Sequence, residues 1–500
     1  MPDLTPATFE EFERETERGN VVPVVRTILA DLQTPVGAFL RIAPGTSRAF
    51  LLESIEGGER VARYSFLGAN PWMVVRVQNE QTIVEKDGQR EVSDQKGIEF
   101  LRQYFSGKKL ARRRGLAPLA GGAVGYLAYG AARWFEPVLK DVGGHNSRND
   151  ALLMFFKTIV AFDRVQQQME ITSVVFTEEA GGNQARLREL YEQAVAETAR
   201  IEEQLNHEPS IAPNSSQSDG EPTVHFQSNW PGKKFEAAVE TVKDHIVAGD
   251  CYQVVIAQQF SKPTAASPLA IYRALRATNP SPYMYFLRFG DETIIGASPE
   301  MLVRCHDQRL DYRPIAGTRK RGATEAEDWM LAEEMRNDEK EVAEHTMLVD
   351  LGRNDLGRVS DYGSVQVEQL MTVERYSHVQ HLVSSLRSRL RDDLDRFDAL
   401  AACFPAGTVT GAPKIRAMQI IDELEPAARG VYAGSVLYVD YANNLDSCIA
   451  IRTIELHEGV ATVQAGAGIV ADSVPDREFE ECVNKARAMF RAVELAERGL

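Results

Sequence analysis

The chain of 500 residues has only five cysteines, Cys251, Cys305, Cys403, Cys448 and Cys482, widely scattered and never spaced as C-x-x-C. Neither a disulfide framework nor a zinc site is indicated, and buried thiols are expected. Uninterrupted apolar runs of about 18 residues are also missing, so no transmembrane helix is expected. Met1 to Asn20 is rich in Glu and has no apolar stretch of the kind a secretory signal needs, which points to a cytoplasmic location. Basic charge is short as well: 56 Lys+Arg against 72 Asp+Glu leaves −16. That balance argues against a nucleic-acid surface or an anionic membrane as partner. The basic stretch Lys108 to Arg114 has no interleaved aromatic residue and reads as a solvated loop.

Hydrophobic residues at 44% and charged residues at 26% are ordinary for a globular protein with a sizeable core. The clearest break in composition is Asn206 to Thr223, where Pro, Ser, Asn and Asp cluster and apolar periodicity stops, as in an exposed loop or hinge. Before it, alternating stretches such as Ala49 to Ser54 and Trp72 to Val77 predict strands, and Asn183 to Gln204 predicts an amphipathic helix. After it, helices are predicted over Lys234 to Ala248, Pro268 to Ala277, Glu325 to Gly352 and Asp476 to Ala496. Strands are predicted over Tyr252 to Phe260, Tyr283 to Phe289, Arg309 to Ile315, Tyr432 to Tyr441 and Gly459 to Ala467. Strands in neighbouring runs, without strict βαβ alternation, favour an α+β fold.

Two acidic pairs stand out. Glu341 with Glu344, and Glu478 with Glu481, lie three residues apart on predicted helices, so each pair projects from one helix face. Together they could offer oxygen ligands to a hard divalent ion such as Mg²⁺. Either pair alone would be an ordinary solvated face. Polar, glycine-rich segments accompany them: Gly249 to Val255, Ala297 to Glu300, Pro314 to Gly322, Met347 to Gly357, Pro405 to Lys414 and Gln464 to Ile469. Turns of this composition expose backbone N–H groups and hydroxyls that can cradle a carboxylate.

Taken together and in this order, these segments resemble the chorismate-utilising enzymes, most closely their anthranilate synthase component I branch. The resemblance spans nearly the whole chain and is strongest from Gly249 onward. It implies an α+β fold in which a large domain of two packed β-sheets with outer helices, residues 224–500, is joined through 206–223 to a smaller β-rich N-terminal lobe, residues 1–205. It also implies amination of chorismate at C2 with loss of the 4-hydroxyl, then elimination of pyruvate to give anthranilate, with Mg²⁺ as cofactor. By the same resemblance Glu341, Glu344, Glu478 and Glu481 surround the metal. Arg452, Tyr432 and the backbone amides of Gly466, Ala467 and Gly468 hold the enolpyruvyl carboxylate, as a planar guanidinium suits a carboxylate, and Lys485 adds positive charge close by. Gly317, Thr318 and Thr408 line the ring carboxylate and hydroxyl region. Glu300 is the acid for the departing hydroxyl, a role that calls for a raised pKa. His381 belongs to the pyruvate-eliminating half; His378, three residues before it, leaves open whether the two ligate a metal or only one faces the cleft.

Within the family, isochorismate-forming enzymes carry a Lys where this chain has Gln253, to activate water. Aminodeoxychorismate synthases, the nearest rival, carry a nucleophilic Lys where this chain has Ala316. Leu51 to Ser54 and Asn279 to Met284 resemble the two halves of a tryptophan feedback site, with Glu53 facing the ligand's ammonium, Ser54 adding a hydrogen bond, and Pro282, Tyr283 and Met284 against the indole. The third contact falls near Glu59, Arg60 and Arg63. No Cys-centred amidotransferase turn is present, so glutamine-derived ammonia would need a separate glutamine amidotransferase subunit, component II, in a heterotetramer of two plus two. A catalytically silent tryptophan- or chorismate-binding regulator is the alternative from another class.

Overall fold

The computed structural model describes residues 3–55, 63–78, 80–140, 148–208, 225–376 and 379–499. The elements that build the sites are β1 (Arg48–Glu53), β2 (Tyr64–Ala69), β3 (Gly122–Leu127), β4 (Gln253–Pro263), α1 (Pro268–Thr278), β5 (Tyr283–Phe289), β6 (Glu292–Ser298) and β7 (Met301–His306). They continue with β8 (Ile315–Lys320), α2 (Glu325–Asn337), α3 (Glu339–Gly357), β9 (Val379–Arg389), β10 (Ser435–Asp440), β11 (Leu445–Ile449), β12 (Thr453–His457), β13 (Val460–Ile469) and α4 (Pro475–Glu497). Among the described residues the strands form two antiparallel sheets, one of 13 and one of 12 strands. The first runs through β2, β1, β5, β6, β12, β13 and β4, and the second through β8, β9, β7, β11, β10 and β3. Strands from before and after residues 206–223 are bonded to each other in both sheets, β1 to β5 in the first and β3 to β10 in the second. Residues 209–223 of that predicted linker lie outside the described residues, as do Glu59, Arg60 and His378.

Strand alternation sorts the side chains into layers. Phe50 and Leu52 of β1 join Tyr285 of β5 and Val124, Val436 and Cys448 of the second sheet in a core between the sheets. Leu51, one residue over, packs instead with Phe286, Ile295 and Ile454 under an outer helix layer that includes α1 and α4. Burying both faces of the first sheet explains why its strands read as nearly continuous apolar runs.

The expected long helix over 325–352 is two helices. Asp338 ends α2 in extended geometry and caps α3, its carboxylate accepting from the Lys340 and Glu341 amides. An Asp at that point competes for backbone donors and restarts the helix. The predicted strand 309–315 is likewise divided, ending at Tyr312 before β8 begins. All five cysteines are buried free thiols, as expected. No helix among the described residues is long and apolar enough to cross a membrane. In the basic stretch Lys108 pairs with Glu178, Arg112 with Asp307, and Arg113 donates to the carbonyls of Thr5 and Pro23.

Candidate active site and a second cavity

Glu300 sits where the chain leaves β6 of the first sheet and enters β7 of the second. Its amide donates to Ser298 Oγ at 3.3 Å and its carbonyl accepts from the Ile449 amide at 3.0 Å, so the turn is fixed from both sides. The residue is buried, and burial pushes its carboxyl up to about 8, against smaller opposing effects from Thr408, the Ile315 amide, Arg452 and Lys485. Thr408 is close enough to act on that carboxyl, and among the described residues its buried hydroxyl has no other hydrogen-bond partner. The result is a neutral acid at pH 7 beside a hydroxyl free to turn towards a ligand.

Arg452 occupies the connection between β11 and β12 with φ of 50°, a left-handed conformation that costs a non-glycine residue energy and so marks a position held by its surroundings. Its carbonyl accepts from the Ala297 amide at 3.1 Å, three residues before Glu300. Among the described residues its guanidinium makes no ion pair and no hydrogen bond, although Glu300 and Tyr376 lie near enough to act on its charge. A half-enclosed cation without a partner is a prepared anion site.

His381, on β9, is buried, with Nδ1 at 2.9 Å from the Gly317 carbonyl and 3.1 Å from Thr318 Oγ1. A carbonyl only accepts, so Nδ1 carries the proton and Nε2 is left as an acceptor. Burial lowers the imidazole pKa to about 4, helped by Arg452 and opposed by Gly317. Gly317 lies in an irregularity of the β8–β9 ladder between Ala316 and Thr318, with φ of 58°. A Cβ there would stand 3.1 Å from Glu341 Oε2. The bulge thus brings His381, Thr318 and the α3 glutamates to one place.

Gly466, Ala467 and Gly468 lie on β13 opposite Ala257, Ile256 and Val255 of β4. The amides of Val255 and Ala257 donate away from β13, to Thr410 O at 2.8 Å and to Glu425 Oε1 at 2.7 Å. Gly466 and Gly468 are therefore in the non-bonded pairs, and their amides face the other side, beyond the point where β12 stops pairing at Val463. Tyr432 reaches the Gly466 amide with its hydroxyl. A Cβ at 466 would come within 2.8 Å of the Ile256 carbonyl oxygen and 2.9 Å of that hydroxyl, so glycine is required there, whereas one at 468 would stand 2.4 Å from Gln253 Nε2, the end of a side chain that can swing aside. Lys485 on α4 donates to the Gly466 carbonyl at 3.1 Å and pairs with Glu481 at 2.7 Å.

The two helices bring their glutamates together where Glu344 of α3 meets Glu481 of α4, with Glu341 and Glu478 one turn away on their own helices. Burial raises the pKa of Glu344, with Glu341 and then Glu481 adding to it; burial also raises that of Glu478, with Glu481 adding. Glu341 is paired with Arg319 at 2.8 Å. No three acidic, histidine or cysteine groups converge into a closed cage among the described residues. The donor set is nonetheless all carboxylate and mutually repulsive, which fits a hard cation that takes one or two protein carboxylates.

The regulatory candidates gather elsewhere, around a cavity of about 480 Å³ between the sheets, lined by Leu52, Glu53, Ser54, Pro282, Tyr283 and Met284 with Arg304 and Tyr438 opposite. Among the described residues the buried Ser54 hydroxyl has no hydrogen-bond partner. Arg63 lines the cavity too and pairs with Asp163. Glu53 differs from expectation. By strand alternation its side chain shares the face of Leu51, away from the cavity, and the carboxylate is fully enclosed by Tyr272, Arg276 and Arg164. Only its backbone can contribute to the cavity wall.

Two residues the sequence did not single out brace the cleft. Arg319, in Gly317 to Arg319, ties β8 to Asp338 and Glu341 of α3. Arg429 is buried, donates to the Val409 and Val255 carbonyls and pairs with Glu425 at 2.6 Å, with its guanidinium 5.6 Å from the Tyr432 ring centre.

The family model for chorismate binding enzymes matches residues 47–491. Anthranilate synthase component 1 of Acetivibrio thermocellus is 44% identical over 493 residues, covering 98% of each chain. The crystal structure of anthranilate synthase component I from Streptococcus pneumoniae TIGR4 superposes with a TM-score of 0.76 at 36% identity, covering 93% of this chain and 99% of that one. The menaquinone-specific isochorismate synthase MenF of Escherichia coli shares the fold, with a TM-score of 0.68 at 21% identity over 96% of this chain and 97% of that one. The chain belongs to the chorismate-binding enzymes, on the branch of anthranilate synthase component I.

Proposed function

We propose that this enzyme, which acts on chorismate, converts chorismate and ammonia to anthranilate and pyruvate, in the cleft between Glu300, His381, Arg452 and the glutamates of α3 and α4. The observation that carries the reading is the unpaired guanidinium of Arg452 set beside the neutral carboxyl of Glu300. One group binds an anion and the other can give a proton, and neither is consumed by a structural partner. Arg452 would take the enolpyruvyl carboxylate bidentately, with the free Gly468 amide and Tyr432 at its side. Thr318 and Thr408 would meet the ring carboxylate and hydroxyl region. Ammonia adds at C2, the double bonds shift, and the C4 hydroxyl leaves as water with the proton of Glu300. Loss of the C2 proton and departure of the enolpyruvyl group as pyruvate then give the aromatic ring. His381, neutral above about pH 4, can orient the substrate or accept a proton at Nε2.

Glu341, Glu344, Glu478 and Glu481 would hold Mg²⁺, which when bound supplies positive charge for the substrate's ring carboxylate. Arg319 and Lys485 neutralise two of these glutamates in its absence. The cavity beside Ser54 would bind tryptophan as a feedback inhibitor, its serine hydroxyl and its aromatic walls of Tyr64, Tyr283 and Tyr438 suiting a polar amino acid with an indole. The name component 1 of its relatives supports a second component as partner; in this reading it is a glutamine amidotransferase subunit that supplies ammonia, in a two-plus-two heterotetramer.

Incubating the chain with chorismate, ammonium and Mg²⁺ tests the reading. Fluorescent anthranilate should form without a second lyase, and chelation with EDTA should abolish it until Mg²⁺ is restored. Accumulation of a non-aromatic amino intermediate would instead identify an aminodeoxychorismate synthase, and Ala316 in place of a nucleophilic Lys argues against that.

A further inference from the structure

The buried carboxylate of Glu53 is where the cavity wall meets the helix layer. Leu52 and Ser54 of the same segment line the cavity, and Met284, directly opposite Glu53 in the β1–β5 ladder, lines it as well. The Glu53 carboxylate points outward and is completely bonded: Tyr272 Oη donates to Oε2 at 2.5 Å, Arg276 Nε to Oε2 at 2.9 Å, and Arg164 Nη2 to Oε1 at 3.2 Å. Tyr272 and Arg276 lie at i and i+4 on one face of α1. Among the described residues Arg276 bonds nothing besides Glu53. Arg164 also donates to Ser65 Oγ at 3.0 Å, on the strand next to β1, so the clamp joins β1, β2 and α1.

From α1 the connection runs directly to the catalytic helix. Ala270, Ile271, Ala274 and Leu275 of α1 share a buried cluster with Ala486, Met489, Ala492 and Val493 of α4. On the preceding turns of that continuous helix stand Lys485, Glu481 and Glu478. Packed helices slide as units and do not deform smoothly, so a displacement of α1 reaches these three residues.

We propose that Glu53 is a coupling residue and not a ligand contact: filling the cavity shifts the end of β1, the Glu53 clamp passes that shift to Tyr272 and Arg276, and α1 carries it to the glutamates and lysine of α4. The proposal rests on the reading of the cavity as a tryptophan site. It requires that the ligand favour one position of the clamp over another.

The test uses the full chain with Arg276→Gln and, separately, Tyr272→Phe. Each removes one arm and leaves the Glu53 carboxylate bonded by the others. Tryptophan binding is measured directly by equilibrium dialysis, and turnover with chorismate and ammonium is measured with and without saturating tryptophan. Both variants should bind tryptophan within about threefold of the unmodified chain and turn over normally without it. The ratio of uninhibited to inhibited rate at saturation should fall at least about fivefold, the lower end of ordinary coupling. Full inhibition of both variants would overturn the proposal, and so would loss of tryptophan binding, which would make the clamp part of the ligand site. An unmodified chain that forms anthranilate but neither binds nor responds to tryptophan would remove the reading of the cavity itself, and the proposal with it.

Discussion

Glu300 and Glu53 are both buried glutamates at strand ends facing the junction of two layers, and their surroundings are opposite. Glu53 meets two guanidiniums and a phenol and has every oxygen bonded. Glu300 has burial without an ion pair among the described residues: Thr408, the Ile315 amide and the charge of Arg452 offset its burial only in part, and the carboxyl keeps its proton to about pH 8. A saturated carboxylate holds structure together, whereas an unsaturated one is available for chemistry. The same contrast separates Arg276, paired with Glu53, from Arg452, whose guanidinium has no ion pair or hydrogen bond among the described residues.

Replacing Glu300 should break the comparison most visibly. Glu300→Gln is expected to lower anthranilate formation by about 10² to 10⁴, the usual contribution of a general acid, while chorismate still binds. The unmodified enzyme should lose activity as pH rises through about 8, where the acid ionises, and the residual rate of the variant should be flat there. A variant that keeps more than about a tenth of the rate would end the assignment of Glu300 as the acid. Next in size is Arg452→Lys. A lysine keeps the charge but not the fork, so the KM for chorismate should rise roughly tenfold to a hundredfold, about 1.5–3 kcal/mol, with kcat less affected. An unchanged KM would move the carboxylate site elsewhere.

The smallest effect concerns stability, and it should reverse the ranking of the two glutamates. Glu53→Ala leaves the buried Tyr272 hydroxyl and two arginines without their acceptor and should cost about 1–3 kcal/mol in denaturant unfolding. Glu300→Gln should cost nothing or stabilise. The sign follows from linkage: folded Glu300 retains its proton to about pH 8, while the unfolded chain releases it near 4.5. The unfolded state therefore binds fewer protons between those values, and this group lowers stability as pH rises from 4.5 to about 8. The pH dependence of unfolding should be shallower in Glu300→Gln over that window. An identical slope would mean that Glu300 is ionised in the folded protein.

Much of this was legible in the chain itself. The helix over Asp476 to Ala496 appears as α4 from Pro475 to Glu497, and the acidic pair spacing placed Glu478 and Glu481 on one face of it. Two antiparallel sheets with helices agree with the predicted α+β class. The order of glycine-rich segments pointed to the right family because the glycines answer to local demands, such as the absent Cβ at 466 beside the Ile256 carbonyl. The hairpin of Gln366–Arg375 with β9 was not foreseen, since its first strand is largely exposed and polar and has no clean alternation. Nor was the break at Asp338, where one capping residue outweighed a continuous helical pattern.

The sequence by itself determined the family, the α+β class and the list of ionisable side chains. Only the tertiary structure decided what those side chains are for. Leu51 to Ser54 reads the same whether Glu53 turns towards a ligand or towards a helix, and the answer depends on Arg164 and Arg276, more than a hundred residues away and on different elements. Charge, protonation and availability are properties of the surroundings a residue meets, and those surroundings are assembled from segments that have no contact along the chain.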